Sequence, residues 1–490
     1  MIPLLFLGLV LTYILYFKFQ RSSPPGPIPL PFFGNSLSLR FPAPGYDAFL
    51  RWKREYGPLT TFWMGTKKFV LISDYALMKE TFVKDGDTFV DKFSSNFSKQ
   101  FRGGNYGVVD SNGETWRIHR RFALTTLRDL GIGKDLMQMK ILIEVEELFK
   151  NLDNTSGLVD FSKIIDRAVG NVINQTLFGY RFDETSSNDF EKLKGLIDSL
   201  RTTISQFRYF IQMLIPILSK VIPGTSLHDV IEVRKQELNK FFDAQIEKHI
   251  KEINFDDDEV SDYVEGYLKE QKRREDSGDF ESFNTKQLRV MCFDMWLAGL
   301  VTTTLTLTWG FAYYLNYPKV RKEIQKELDQ VINGDRLVTT ADKNDLPYLN
   351  AFITETQRCA NMFPMNLQHE TTRDTVINGY QIKAGTGIIA QIATVMFDEK
   401  VFPNPYEFEP SRFIDEQTGK FKKIDEVIPF SIGKRVCLGE GLARQELFLF
   451  FANVFNRYEI LAPEVPSIDK TQQSIVMPRK FNAKLTRRHI

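Results

Sequence analysis

Apolar residues recur at spacings of three and four from Lys134 to Leu152 and again from Val230 to Ile253, with charged residues between them, which predicts amphipathic helices. Between Asp47 and Ala76 the pattern shortens. The runs LTTFWMG and KFVLIS, rich in aromatic and β-branched residues and broken by Gly57, Pro58 and Gly65, predict small strands with turns. From Lys286 to about Tyr317 nearly every position is apolar, with Thr302, Thr303 and Thr304 in the middle. Such a segment predicts a helix buried on most sides, and Pro318 suits the first turn of the next one. Asp256 to Glu259 form an acidic cluster that predicts a solvated loop. The chain as a whole reads as mainly α with a small β-sheet region.

At the amino terminus, Ile2 to Phe17 carries no charge, while Lys18 and Arg21 follow it. That stretch approaches the roughly 17 to 25 residues of a membrane-spanning helix and lacks a cleavage site, which predicts a single retained anchor over residues 1–20. The basic flank places the body on the cytoplasmic side. Residues 21–34 include PPGPIPLP (Pro24 to Pro31), whose fixed φ angles predict a stiff spacer, leaving 35–490 for the body.

Composition narrows the function. With 43% hydrophobic and 26% charged residues, the 490-residue chain can bury a large interior. Lys plus Arg (63) almost cancels Asp plus Glu (62), so no positive field exists to hold nucleic acid. Three cysteines cannot build a disulfide framework, which points to a reducing compartment, and five histidines without ligand spacing disfavour a His-rich metal site. No GxGxxG or GxxxxGK(S/T) loop is present for a nucleotide or flavin. Cys292 and Cys359 fall within helical patterns and read as core.

Cys437 is different. It stands in FSIGKRVCLG (Phe430 to Gly439), just before the helical pattern LARQELFLFFANVF. Amides and the helix dipole at such a position favour the thiolate, the form that ligates metal. The pattern FxxGxRxCxG resembles the haem-binding loop of the cytochrome P-450 superfamily, here of the microsomal animal family-2 type. The resemblance implies that Cys437 is the axial thiolate of haem b iron, where it would favour O–O cleavage. It also places Phe430 over the sulfur and Arg435 on a haem propionate. Gly433 would allow a turn closed to other residues, and Gly439 a close approach to the porphyrin.

Other motifs of this family follow in the expected order. Glu355 and Arg358 match its ExxR pair, with Arg412 in NPYEFEPSRF as the third, structural member. Trp116 and Arg120 match a WxxxR pair on a propionate, and His369 falls where another propionate donor is placed. Ala298 to Thr303 (AGLVTT) is similar to the oxygen-activation segment, which assigns Thr302 and Thr303 to catalysis through proton delivery. The sequence departs from that segment at Val301, where the family carries an acid.

The resemblance implies a single large haem-thiolate monooxygenase fold, inserting one oxygen atom from O2 into a lipophilic small molecule such as a xenobiotic, steroid or fatty acid. Electrons would come from NADPH through a separate cytochrome reductase, with cytochrome b5 as a further partner, at the endoplasmic reticulum membrane. Basic residues Arg117, Arg121, Arg128, Lys134, Lys434 and Arg444 could pair with an acidic partner. Substrate contacts are expected from 101–106, 201–210, the central helix near Asp294 and Ala298, 365–367 and 473–475. The alternative is a haem-thiolate isomerase or dehydratase working without reductase, which the missing acid at Val301 favours slightly.

Overall fold

The computed structural model describes residues 23–40, 46–155, 157–183, 186–214, 226–363, 365–470 and 475–489. The anchor expected over residues 1–20, and Gln473 and Ser474 of the late loop, lie outside them. The chain forms two compact units. One gathers Met1–Phe93, Met365–Val395 and Ser431–Val436; the other holds Ser94–Pro364, Met396–Phe430 and Cys437–Ile490.

In the smaller unit, helix α1 (Tyr46–Tyr56) buries Tyr46, Ala48, Phe49 and Trp52. Phe49 and Trp52 meet Phe62 of strand β1 (Leu59–Met64) with ring centroids 5.7 and 5.5 Å apart. Gly65, at φ +59°, turns the chain into β2 (Lys67–Ile72), antiparallel to β1. The expected strands are therefore both present. The sheet is completed by β3 (Asp91–Lys92), β4 (His369–Glu370) and β5 (Gly387–Ala390), in the order β1-β2-β5-β4-β3. Its register sets Lys92 opposite His369. The proline-rich stretch Pro24 to Pro31 carries no helix, and the Pro25 carbonyl accepts the Thr61 amide at 2.9 Å. A Cβ at Gly26 would lie 1.8 Å from the Thr61 carbonyl oxygen, so glycine lets the spacer press onto β1.

The larger unit is helical. Its long helices are α2 (Gly113–Asp129), α3 (Asp135–Asp153), α4 (Phe161–Phe178), α5 (Ser187–Ile204), α6 (Leu227–Glu252), α7 (Tyr263–Asp276), α8 (Thr285–Asn316), α9 (Pro318–Val331), α10 (Pro347–Ala360) and α11 (Glu440–Arg457). Strands Val159–Asp160 and Tyr458–Leu461 flank Asn482–Arg487 in a small sheet. Among the described residues α8 alone is long and apolar enough to cross a membrane, but 67% of its apolar window is buried. It is the core helix, packed against α4, α6, α10 and α11. Its approach to α11 is close: a Cβ at Gly310 would sit 2.1 Å from the Phe451 ring. Pro318 opens α9, and Asp256 to Glu259 are exposed coil, both as the sequence predicts.

Candidate functional site

Cys437 lies just ahead of α11, whose N-cap is Gly439. Its amide donates to the Phe430 carbonyl at 3.0 Å, which closes the loop around the sulfur. The Arg444 guanidinium covers the Phe430 ring at 4.8 Å and pairs with Glu440 at 2.9 Å. The thiol pKa is raised, contrary to the lowering that its place near a helix start predicts. Burial outweighs the Gly439 amide and the Arg120 charge, and Glu440 adds to the rise. Yet Cys437 keeps an exposed surface. Protein crowds the sulfur while the residue stays open to solvent, as in a thiol set back from the surface. Cys292 and Cys359 are buried, with thiols raised by burial, in keeping with core positions.

On α2, Trp116 and Arg120 lie one turn apart, with the guanidinium 5.8 Å from the indole ring. Burial lowers the Arg120 pKa and the Cys437 thiolate opposes that lowering. Charge on the one group therefore favours charge on the other.

Helix α8 is buried along most of its length, but Ala298 is exposed and Leu297, Val301 and Thr302 are half-buried. These four residues share one face, so an interior helix opens onto a hollow there. The Thr302 hydroxyl donates to the Ala298 carbonyl at 2.7 Å. Thr303 departs from the expectation that both threonines serve oxygen activation. One residue further on, it is rotated about 100° around the helix. It is buried, with its hydroxyl 3.2 Å from Glu446 of α11.

Asp294 is also placed differently from its reading as a substrate contact. Its carboxylate is fully enclosed, accepting the Val108 and Val109 amides at 2.9 and 3.0 Å and pairing with Arg102 at 2.7 Å. It pins the 102–110 loop to α8 and, being fully enclosed, presents no surface to a ligand.

The ExxR pair is fully buried. Arg358 grips Glu355 with two bonds, of 2.6 and 2.8 Å, and gives its remaining donors to the carbonyls of Met396, Pro405 and Glu407 at 2.9, 2.7 and 3.2 Å. Arg412 approaches Glu355 at 3.4 Å. Burial alone would lower the Arg358 pKa, but Glu355 holds it above its ordinary value. The three residues thus tie the end of α10 to the 396–412 segment.

In the smaller unit, Gly433 has φ +84°, and a Cβ there would meet the Phe82 carbonyl oxygen at 2.2 Å. Only glycine fits. Arg435 is buried and donates through Nε to the Val90 carbonyl at 2.8 Å. His369 is buried, with Nδ1 2.7 Å from the Phe89 carbonyl and Nε2 2.7 Å from Nζ of Lys92. Burial first, then the charges of Lys92 and Arg435, push its pKa well below the ordinary value. The ring is therefore neutral, donating to Phe89 and accepting from Lys92. Sequence reasoning missed Lys92; a cation inside the apolar run FVDKF was the available signal.

These observations fit haem. Within the larger unit, a recessed thiol, an open face on the core helix and the half-buried Arg120 cation suit its iron, its plane and a propionate in turn. A family model for cytochrome P450 matches residues 24–485.

The chain belongs to the cytochrome P450 family.

It is 34% identical over 448 residues to cytochrome P450 2G1 of Oryctolagus cuniculus, covering 91% of this chain and 88% of that relative. Cytochromes P450 2A13 and 2C8 of Homo sapiens are 32% and 33% identical, over 95% and 94% of this chain and 93% of each relative. As a cytochrome P450 it is a haem-thiolate monooxygenase, an oxidoreductase that takes electrons from a separate reductase and oxidises lipophilic small molecules. The family match favours this over the isomerase or dehydratase.

Beside the thiol loop, a groove of about 370 Å³ is lined by Leu124, Leu127, Arg128, Ile132, Leu438 and Gly441. Of the basic residues expected to meet a partner, Arg117, Arg128, Lys434 and Arg444 each pair with a carboxylate of the chain itself, at 3.6, 3.5, 2.5 and 2.9 Å. Arg121 and Lys134 are exposed.

Proposed function

We propose that Cys437 is the thiolate by which this cytochrome P450 holds haem iron, with Phe430 against the sulfur and Gly439 leaving room at the helix start. Among the described residues, no atom beyond its chain neighbours lies within 4 Å of a Cβ placed at Gly439, so its requirement would come from the cofactor. Trp116, Arg120 and Arg435 bind propionates. Lys92 would join them, and His369 orients Lys92 by accepting a hydrogen bond from its Nζ. Glu355, Arg358 and Arg412 keep the surrounding fold rigid.

Bound haem supplies oxygen binding and activation once electrons arrive. The protein's own part is positional and protonic. Arg120 and the Gly439 amide favour the Cys437 thiolate against its burial. Thr302, on the exposed face of α8, can turn its hydroxyl from the Ala298 carbonyl toward a ligand and pass on a proton from water. Val301 offers no proton, so the relay depends on water and Thr302.

The catalytic domain is proposed to span residues 35–490, after the 1–20 anchor and the 21–34 spacer, on the cytoplasmic face of the endoplasmic reticulum. An NADPH-dependent reductase, and cytochrome b5, would dock at the groove beside Leu438, where Arg121, Arg128 and Lys134 supply positive charge.

The recessed thiol within FxxGxRxCxG carries this reading. The reduced, carbon-monoxide-bound protein should show the strongly red-shifted Soret band of thiolate ligation, and Cys437→Ser should abolish it. A band that survives the substitution would overturn the assignment.

A further inference from the structure

The core helix α8 and the thiol-loop helix α11 meet at a polar contact that the P450 reaction as outlined above does not use. Glu446 is fully buried two turns into α11, and its hydrogen bond is to the Thr303 hydroxyl at 3.2 Å. On α8, Thr303 immediately follows Thr302. Seven residues further along α8, Gly310 lets the Phe451 ring press against the backbone. The helices are thus locked at two points, one steric and one polar.

A steric contact fixes distance but resists rotation poorly, whereas a hydrogen bond to one hydroxyl fixes angle. Rotating α8 enough to turn Thr302 away from its exposed face would carry Thr303 off Glu446 and leave a carboxyl group buried without a partner. Such an unpaired buried polar group is costly, so the contact resists the rotation. We propose that Glu446 is a positioning residue for oxygen activation: through Thr303 it sets the rotation of α8 and holds Thr302 toward the reacting oxygen. Because α11 starts just beyond Cys437, the same helix would then position both the thiol loop and, through Thr303, the Thr302 hydroxyl.

Burial pushes the Glu446 carboxyl up to about 8, with Thr303 opposing the rise. The side chain is mostly neutral at pH 7, and a neutral amide should replace it. This separates angular positioning from a need for negative charge.

The experiment uses the full-length haem protein with reductase and NADPH and no added substrate. It reads the fraction of NADPH electrons that emerge as hydrogen peroxide. Glu446→Leu and Thr303→Val should raise that fraction at least threefold, while Glu446→Gln and Thr303→Ser stay within twofold of the parent. In a Thr302→Val background, Glu446→Leu should add nothing, since it acts through Thr302. Hydrogen exchange of the 297–304 amides should rise in Glu446→Leu and Thr303→Val alone. Thr303→Val is nearly isosteric and carries the test by itself if Glu446→Leu does not retain haem. An unchanged peroxide fraction in Thr303→Val would overturn the proposal. So would an equal increment from Glu446→Leu with and without Thr302, or a Gln variant as leaky as the Leu variant.

Discussion

Nζ of Lys92 stands 2.7 Å from Nε2 of His369, across a register in which the two residues are direct partners on neighbouring strands. The histidine, neutral and committed to the Phe89 carbonyl through Nδ1, accepts from the lysine. Nζ also donates to the Leu367 carbonyl at 3.3 Å, and on the proposed reading Lys92 rather than His369 supplies positive charge to a haem carboxylate. Lys92→Met should speed haem transfer to apomyoglobin at least fivefold, whereas Lys434→Met, the loss of an exposed lysine paired with Asp87, should leave it unchanged. Equal transfer rates in both variants would assign Lys92 to structure alone.

His119 makes the fold acid-sensitive. It is buried against Tyr267 and Phe283, donates from Nε2 to the Ser282 carbonyl at 2.9 Å, and places Nδ1 where no hydrogen-bond acceptor lies among the described residues. Burial pushes its pKa down to about 4, helped by the Arg274 charge and opposed by the Ser282 bond. Between about pH 6.5 and 4 the unfolded chain binds this proton and the folded one does not, so stability falls as pH falls. The loss by pH 4 is about 3 kcal/mol. Thermal midpoints from pH 4.5 to 7 should decline less steeply in His119→Gln; an identical slope would exclude His119 as the source.

The two loop glycines should fail for different reasons. Gly433→Ala imposes φ +84° on alanine, costing about 1–2 kcal/mol, and drives a Cβ into the Phe82 carbonyl. It should lower the thermal midpoint of the apoprotein as well as the haem protein. At Gly439, with φ −92° and open space around the built Cβ, alanine should leave the apoprotein unaffected and weaken haem retention only. Equal loss in both apoproteins would contradict this division.

Val301 shares the half-open face of α8 with Ala298 and Thr302. With no acid there, proton supply rests on water, and Val301→Glu should lower the peroxide released per product formed, measured under reductase-driven turnover. An unchanged ratio would show that the missing acid does not limit proton delivery.

Much of the site was legible because its parts are local. The FSIGKRVCLG loop, the ExxR pair one turn apart on α10 and the Trp116–Arg120 pair on α2 are set by spacing along the chain. The helices of the body and the β1–β2 hairpin follow equally from apolar periodicity and from Gly65. Residues whose meaning depends on a distant partner were not readable in this way. Asp294 looked like a substrate contact until Arg102 and the Val108 and Val109 amides took up its oxygens. Lys92 gained significance only when strand pairing set it against His369.

The sequence by itself determined the chemistry and the family: one thiol in a haem-binding loop, an oxygen-activation segment lacking its acid, and a mainly helical body. Tertiary structure decided direction. Adjacent residues on a helix point about 100° apart, so neighbouring threonines of one type take different roles. Thr302 turns to the open face, and Thr303 to the buried carboxyl of Glu446, a residue 143 positions away in the chain.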